Sequence, residues 1–127
     1  VMVYCDRIRL EQIIINLLRN AVDAIKNTRE PSIEITVSVG SHAFLSVRDN
    51  GPGVSDLENL FEPFFTTKKP GEGTGLGLAI SSGIAADFGG RLTAHNASDE
   101  GGKGAVFELE LPLLDPGRKT GTKLAAE

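Results

Sequence analysis

Gly71-Glu72-Gly73-Thr74-Gly75-Leu76-Gly77-Leu78 runs straight into an apolar, helix-compatible Leu78-Ala79-Ile80. Glycine at every second position lets the backbone take positive φ and lets a ligand approach the main chain closely. A glycine loop feeding a helix N-terminus presents unpaired N–H groups and the positive end of a helix dipole, which suit an anion such as a polyphosphate. The stretch is not a P-loop, because no Gly-Lys-Ser/Thr follows the required spacer. Nor is it a dinucleotide fingerprint, which needs glycine at position 76 or 78, where this chain has Leu twice. Alone, such a loop is as often a plain connection as a phosphate site. Two further segments tip the balance.

The first is Asp49-Asn50-Gly51-Pro52-Gly53, which follows the alternating, strand-like run Ala43-Phe44-Leu45-Ser46-Val47-Arg48. An aspartate at a strand end can point its carboxylate into a pocket while the backbone turns away at the glycines. A carboxylate only accepts hydrogen bonds, so it suits a ligand amine such as the exocyclic amine of adenine. The same residues also make an ordinary turn, and by composition alone the turn is the simpler reading.

The second is a helix expected from about Arg7 to Thr28, with Asp6 as N-cap. Leu10, Ile14, Leu17, Leu18, Ala21 and Ile25 share one face, which must pack on a sheet. Beside it Arg9, Asn16, Asn20, Asp23 and Asn27 form a narrow polar stripe. Asparagine is a poor helix former, so a row of three has a propensity cost that a merely solvated face need not bear. Carboxamides one turn apart offer neutral oxygens to a hydrated Mg²⁺, which keeps several waters and takes one or two protein oxygens plus phosphate oxygens.

Together these segments resemble the catalytic ATP-binding domain of sensor histidine kinases. Leu10-Glu11-Gln12-Ile13-Ile14-Ile15-Asn16-Leu17-Leu18-Arg19-Asn20-Ala21-Val22-Asp23-Ala24 is similar to their asparagine box, and Asp49-Asn50-Gly51-Pro52-Gly53 to their first glycine box. Phe61-Glu62-Pro63-Phe64-Phe65-Thr66-Thr67-Lys68 is similar to their phenylalanine box, and Gly73-Thr74-Gly75-Leu76-Gly77-Leu78 to their second glycine box. Four boxes in the family's order, over residues 3–112, make a specific match. The resemblance implies the ATP-binding fold shared with gyrase, heat-shock chaperone and mismatch-repair proteins: an α/β two-layer sandwich with helices on one face of a mixed sheet, and ATP under a lid. It implies a nucleotide site at Asn16, Asn20, Asp23, Asp49, Gly51, Gly53, Thr67, Lys68, Gly73, Thr74, Gly75, Leu76 and Gly77, with Mg²⁺ on Asn20 and ATP or ADP as ligand. It implies that Phe61, Phe64 and Phe65 contact the dimerisation and phospho-acceptor helices of the parent protein, a homodimer that passes phosphate to a response regulator. The isolated domain is expected to be a monomer. The Arg19-Asn20-Ala21 and Phe64-Phe65-Thr66-Thr67-Lys68 details resemble nitrogen-regulation, oxygen-sensing and dicarboxylate-sensing kinases most.

Composition fits that reading. The 127 residues suffice for one domain with a real core. A net charge of −4 gives no reason to expect nucleic acid as a partner. Cys5 stands alone, as expected in a reducing compartment, and no apolar run approaches the ~20 residues needed to cross a bilayer. The expectation is a cytoplasmic domain, whether or not a longer parent is anchored in the inner membrane. Residues 1–114 are expected as the domain, with the lid at about 54–72, and 115–127 as a frayed polar tail. A short strand Val1–Tyr4, a hairpin of Ile33–Val39 with Phe44–Arg48, a helix from about Gly75 to Asp87 and strands Arg91–Asn96 and Gly104–Leu111 complete the expected layout. In that helix Leu78, Ile80, Ile84 and Phe88 are expected to pack inward, with Gly89-Gly90 as its C-cap.

The three phenylalanines, in so irregular a segment, read as a partner surface, or else as a satellite core. Thr67 and Lys68 sit where a hydroxyl and an ammonium could reach terminal phosphates and offset the negative charge developing in phosphoryl transfer, although Lys68 reads equally well as a solvated side chain. Neither His42 nor His95 has the acidic helical context of the family's phospho-acceptor, so the acceptor is expected on a separate helical hairpin. ATPases of the superfamily carry a glutamate one turn before the metal-binding asparagine to activate water. Here that position is Asn16, and a carboxamide takes no proton from water at neutral pH. This favours a kinase over an ATPase, and the four intact boxes argue against a regulatory module that binds nucleotide without transferring phosphate. The residue three after Asn20 is Asp23, where many of these kinases carry Lys or Arg, which puts a phosphate contact there in doubt.

Overall fold

The structure, a computed structural model, describes residues 2–4, 6–65, 76–113 and 123–125. A first strand, β1 (Met2–Tyr4), leads to α1 (Arg7–Ala24), then the hairpin β2 (Ile33–Val39) and β3 (His42–Asp49). A second helix, α2 (Gly77–Asp87), is followed by β4 (Arg91–Asn96), a 3₁₀ turn (Ala97–Glu100), β5 (Ala105–Pro112) and β6 (Lys123–Ala125). The sheet has the order β2-β3-β5-β4, with α1 packed over β3 and α2 over β4 and β5. This is the expected two-layer sandwich. Every strand pairing among the described residues is antiparallel, where a mixed sheet was expected. The reason is the chain path: hairpin-like returns bring β3 to β2 and β5 to β4, and β5 then inserts between β4 and β3.

The local chemistry explains where the elements start and stop. Asp6 caps α1 as expected, its carboxylate accepting from Ile8 N–H and Arg9 N–H. The helix ends at Ala24 rather than near Thr28, because Asn27 and Thr28 favour turns and Thr28 N–H already bonds Ile25 O in one. Helix α2 closes in a Schellman motif, with Gly90 N–H to Ala85 O and Gly89 N–H to Ala86 O, and Gly89 at φ +78°. The core comprises Ile13, Leu17 and Ala21 of α1, Ile84 and Ala85 of α2, and Val47, Leu92, Ala105, Phe107, Leu109 and Leu111 of the sheet. Burying an Ile or Leu of this kind stabilises the fold by about 1.5–3 kcal/mol. The apolar face of α1 is therefore centred on Ile13, Leu17 and Ala21, slightly rotated from the expected face. In α2 the buried positions are Ser81, Ile84 and Ala85, whereas Ile80 is exposed.

Lys123–Ala125, inside the segment expected to be a frayed tail, pairs antiparallel with Met2–Tyr4. Val54, Leu60 and Phe61 pack against the core, so the first part of the expected lid is a run of turns seated on the domain. Among the described residues no helix is long and apolar enough to cross a membrane.

Candidate functional site

The end of β3 carries the central side chain. Asp49 is only 3% exposed. Its Oδ1 accepts from Gly51 N–H at 2.9 Å and from Ala105 N–H of β5 at 3.3 Å. Among the described residues both bonds fall on Oδ1, so Oδ2 retains its capacity to accept from a ligand. Gly51 is obligatory for packing, because a Cβ there would stand 2.5 Å from the carbonyl oxygen of Ala24 at the end of α1. Gly53 turns at φ +85°. The next residue, Val54, is held by one carboxamide: its N–H donates to Asn96 Oδ1 at 2.7 Å and its carbonyl accepts from Asn96 Nδ2 at 2.8 Å. Asn50 makes a similar clamp on the other side, accepting from Ser32 N–H at 2.8 Å and donating to Glu30 O at 3.0 Å.

Helix α1 presents its asparagines between this turn and α2. Asn16 Nδ2 donates to Ser81 Oγ at 2.9 Å and to Gly77 O at 3.3 Å, tying α1 to the first turn of α2. Ser81 is a fully buried hydroxyl, and Asn16 satisfies it. One turn on from Asn16, Asn20 is half-buried, and its side chain makes no hydrogen bond among the described residues. One further turn on is Ala24, on which Gly51 sits. Asn20 therefore lies along α1 between the contact with α2 and the contact with the Asp49 turn. Asp23 is paired with Lys26 at 3.6 Å. Among the described residues no group of three His, Cys, Asp or Glu side chains could hold a metal ion.

Thus Asn16 and Gly77 meet between α1 and α2, Gly51 meets the C-terminal end of α1, Asp49 is held by Gly51 and Ala105, and Gly53 lies beside Asn96 and Gly104, with Asn20 along α1 between the first two contacts. Leu76 immediately precedes α2, and its carbonyl accepts from Ile80 N–H. Thr67, Lys68, Gly73, Thr74 and Gly75 lie outside the described residues. Of the phenylalanines, Phe61 packs on the core, Phe65 is half-buried, and Phe64, at φ +66°, is 73% exposed. Sequence reading missed Asn96, Ser81 and Ala105. Asn96 carried a signal: it ends the alternation Leu92, Ala94 with a polar residue at a core-facing position.

Against families of known proteins, residues 5–115 match the family described as histidine kinase-, DNA gyrase B- and HSP90-like ATPases. The chain is 44% identical, over 89% of its length, to the two-component sensor PprA of Pseudomonas aeruginosa, of which it covers 13%. It is 42% identical, over 84% of its length, to the C4-dicarboxylate transport sensor protein DctB of Rhizobium meliloti, of which it covers 17%. The chain thus spans less than a fifth of either relative. Among solved structures, the catalytic domain of histidine kinase ThkA superposes with a TM-score of 0.74 at 37% identity, over 87% of this chain and 70% of that one. The chain belongs to the histidine kinase-, DNA gyrase B- and HSP90-like ATPase family, and within it resembles the ATP-binding domains of sensor histidine kinases.

Proposed function

We propose that this chain binds Mg²⁺-ATP and donates the γ-phosphate to a histidine on a separate helical hairpin of its parent protein, as the kinase part of a two-component sensor. The observation that carries the nucleotide reading is the buried Asp49 carboxylate, fixed through Oδ1 by two backbone N–H groups with Oδ2 still able to accept. In this reading the adenine amine donates to Asp49. Asn20 would offer a carboxamide oxygen to Mg²⁺, which when bound would neutralise phosphate charge. The glycines at 73, 75 and 77 line the phosphates with backbone N–H groups, and Thr67 and Lys68 reach the terminal phosphate. Phe64 offers the parent's phospho-acceptor helices an exposed aromatic.

Phosphate transfer is favoured over hydrolysis by what Asn16 does. Its amide is committed to Ser81 and Gly77, which orients the carboxamide as a strut between helices. It has no basic atom with which to activate water. Transfer to an incoming imidazole then depends on the acceptor domain, a proposal the relatives' description as sensors supports. A domain with this fold that only binds nucleotide would leave such an acceptor unlabelled.

Calorimetry on Asp49→Asn tests the pocket. The substitution keeps size but turns one acceptor into a donor facing the amine. ADP affinity is expected to fall by about 5–150-fold, the equivalent of about 1–3 kcal/mol for a mispaired buried polar group. Unchanged ADP affinity in a folded Asp49→Asn protein would remove Asp49 from the site.

A further inference from the structure

We propose that Asn96 is a positioning residue for base recognition, holding the turn from Asp49 to Val54 in the geometry in which Asp49 can read an exocyclic amine. The proposal rests on the assignment of Asp49 as the adenine-reading carboxylate. Both ends of this turn are fastened to the same pair of strands. At its start, Asp49 Oδ1 takes the N–H of Ala105. At its end, Val54 gives its N–H to Asn96 and takes the amide of Asn96 in return. Asn96 and Ala105 stand opposite each other in the β4–β5 register, so the two fastenings spring from one rung of the ladder.

The fit is specific to this side chain. One carboxamide satisfies both the N–H and the carbonyl of Val54, as a neighbouring strand would. Aspartate at 96 would keep the bond from Val54 N–H but set an oxygen against Val54 O, and alanine would leave both groups of a part-buried peptide unpaired. The backbone has no slack to compensate. A Cβ on Gly53 would lie 2.9 Å from Asn96 Oδ1, and one on Gly104, at φ +95°, would lie 1.9 Å from Asp49 O. Gly51 is pressed equally closely on Ala24. The turn is thus boxed in by β5 beneath Asp49, by α1 at Gly51 and by Asn96 at its far end. Only the last is a single replaceable side chain. Removing it lets the turn move relative to β5, and the carboxylate's aim with it.

The test compares binding of ADP with that of inosine diphosphate, which has an oxygen where ADP has the amine, for wild type, Asn96→Ala and Asn96→Asp. Calorimetry gives the affinities, and thermal unfolding followed by circular dichroism shows which proteins are folded. Wild type is expected to favour ADP by about 10-fold or more, and both variants are expected to lose most of that preference while remaining folded. A general loss of folded protein would weaken both ligands by the same factor and leave the preference intact. Equal weakening of that kind, or a preference retained at wild-type strength in the variants, overturns the proposal. If Asn96→Ala does not fold, Asn96→Asp decides, because it keeps the volume and the bond from Val54 N–H. A wild type that binds but does not distinguish the two nucleotides overturns the Asp49 assignment itself, and this inference with it.

Discussion

Asn16 and Asn20 have the same side chain one helical turn apart and are put to different uses. Asn16 spends its amide on Ser81 and Gly77, whereas the side chain of Asn20, half-buried, makes no hydrogen bond among the described residues. A half-buried carboxamide with no partner among the described residues is a natural place for a ligand or an ion, since leaving it unmatched costs stability. On the Mg²⁺ assignment, Asn20→Ala lowers ATP affinity measured with Mg²⁺ while affinity in EDTA changes little, because the lost oxygen belongs to the ion's coordination shell. Equal losses in both conditions would mean that Asn20 touches the nucleotide or the fold, and not the metal. Ser81→Ala tests the other asparagine. It removes the acceptor of the 2.9 Å bond from Asn16 and is expected to destabilise the domain by about 1–3 kcal/mol. A lowered urea midpoint at unchanged m-value would register it, and an unchanged midpoint would show that the strut carries no stability.

At the scale of elements, α1 does three jobs at once. Its Ile13, Leu17 and Ala21 edge builds the core, its asparagine edge meets α2, and its C-terminal carbonyl at Ala24 seats the Asp49 turn. Loosening its N-terminus by Asp6→Ala removes a cap that accepts from two backbone N–H groups, and is expected to cost about 0.5–2 kcal/mol in chemical denaturation. The same helix shows what a sequence can and cannot disclose. Its periodicity, its cap and the alternation of β2 and β3 are local patterns, and each element formed close to where those patterns put it. The rotation of the buried face of α1 depends on what it packs against, so Ile13 was not legible, whereas the stop at Ala24 follows from the turn-favouring Asn27 and Thr28 just beyond it. The insertion of β5 between β3 and β4 depends on pairings across the chain, which no local window contains. The candidate site divides in the same way. Asp49, Asn20 and the glycines announced themselves by residue type and spacing, whereas Asn96 and Ser81 act only through partners far away in sequence.

For the whole molecule, the antiparallel sheet under two helices sets the Asp49 turn against the C-terminal end of α1 and the start of α2 against Asn16, and leaves Phe64 exposed outside the core. That arrangement supports separate surfaces for nucleotide and acceptor, so Phe64→Ala is expected to leave ADP affinity unchanged and to slow phosphate transfer to the acceptor hairpin. An ADP affinity that falls with Phe64→Ala would instead make this side chain part of the nucleotide pocket. The central claim is transfer itself. It is tested most directly by mixing this domain with the histidine-bearing helical hairpin of its parent gene, Mg²⁺ and γ-labelled ATP, then separating the two proteins. The account predicts acid-labile, base-stable label on the hairpin and none on His42 or His95 of this domain, with transfer greatly reduced in Asp49→Asn. Release of free phosphate without a labelled hairpin, or nucleotide binding with no label transferred at all, would contradict it.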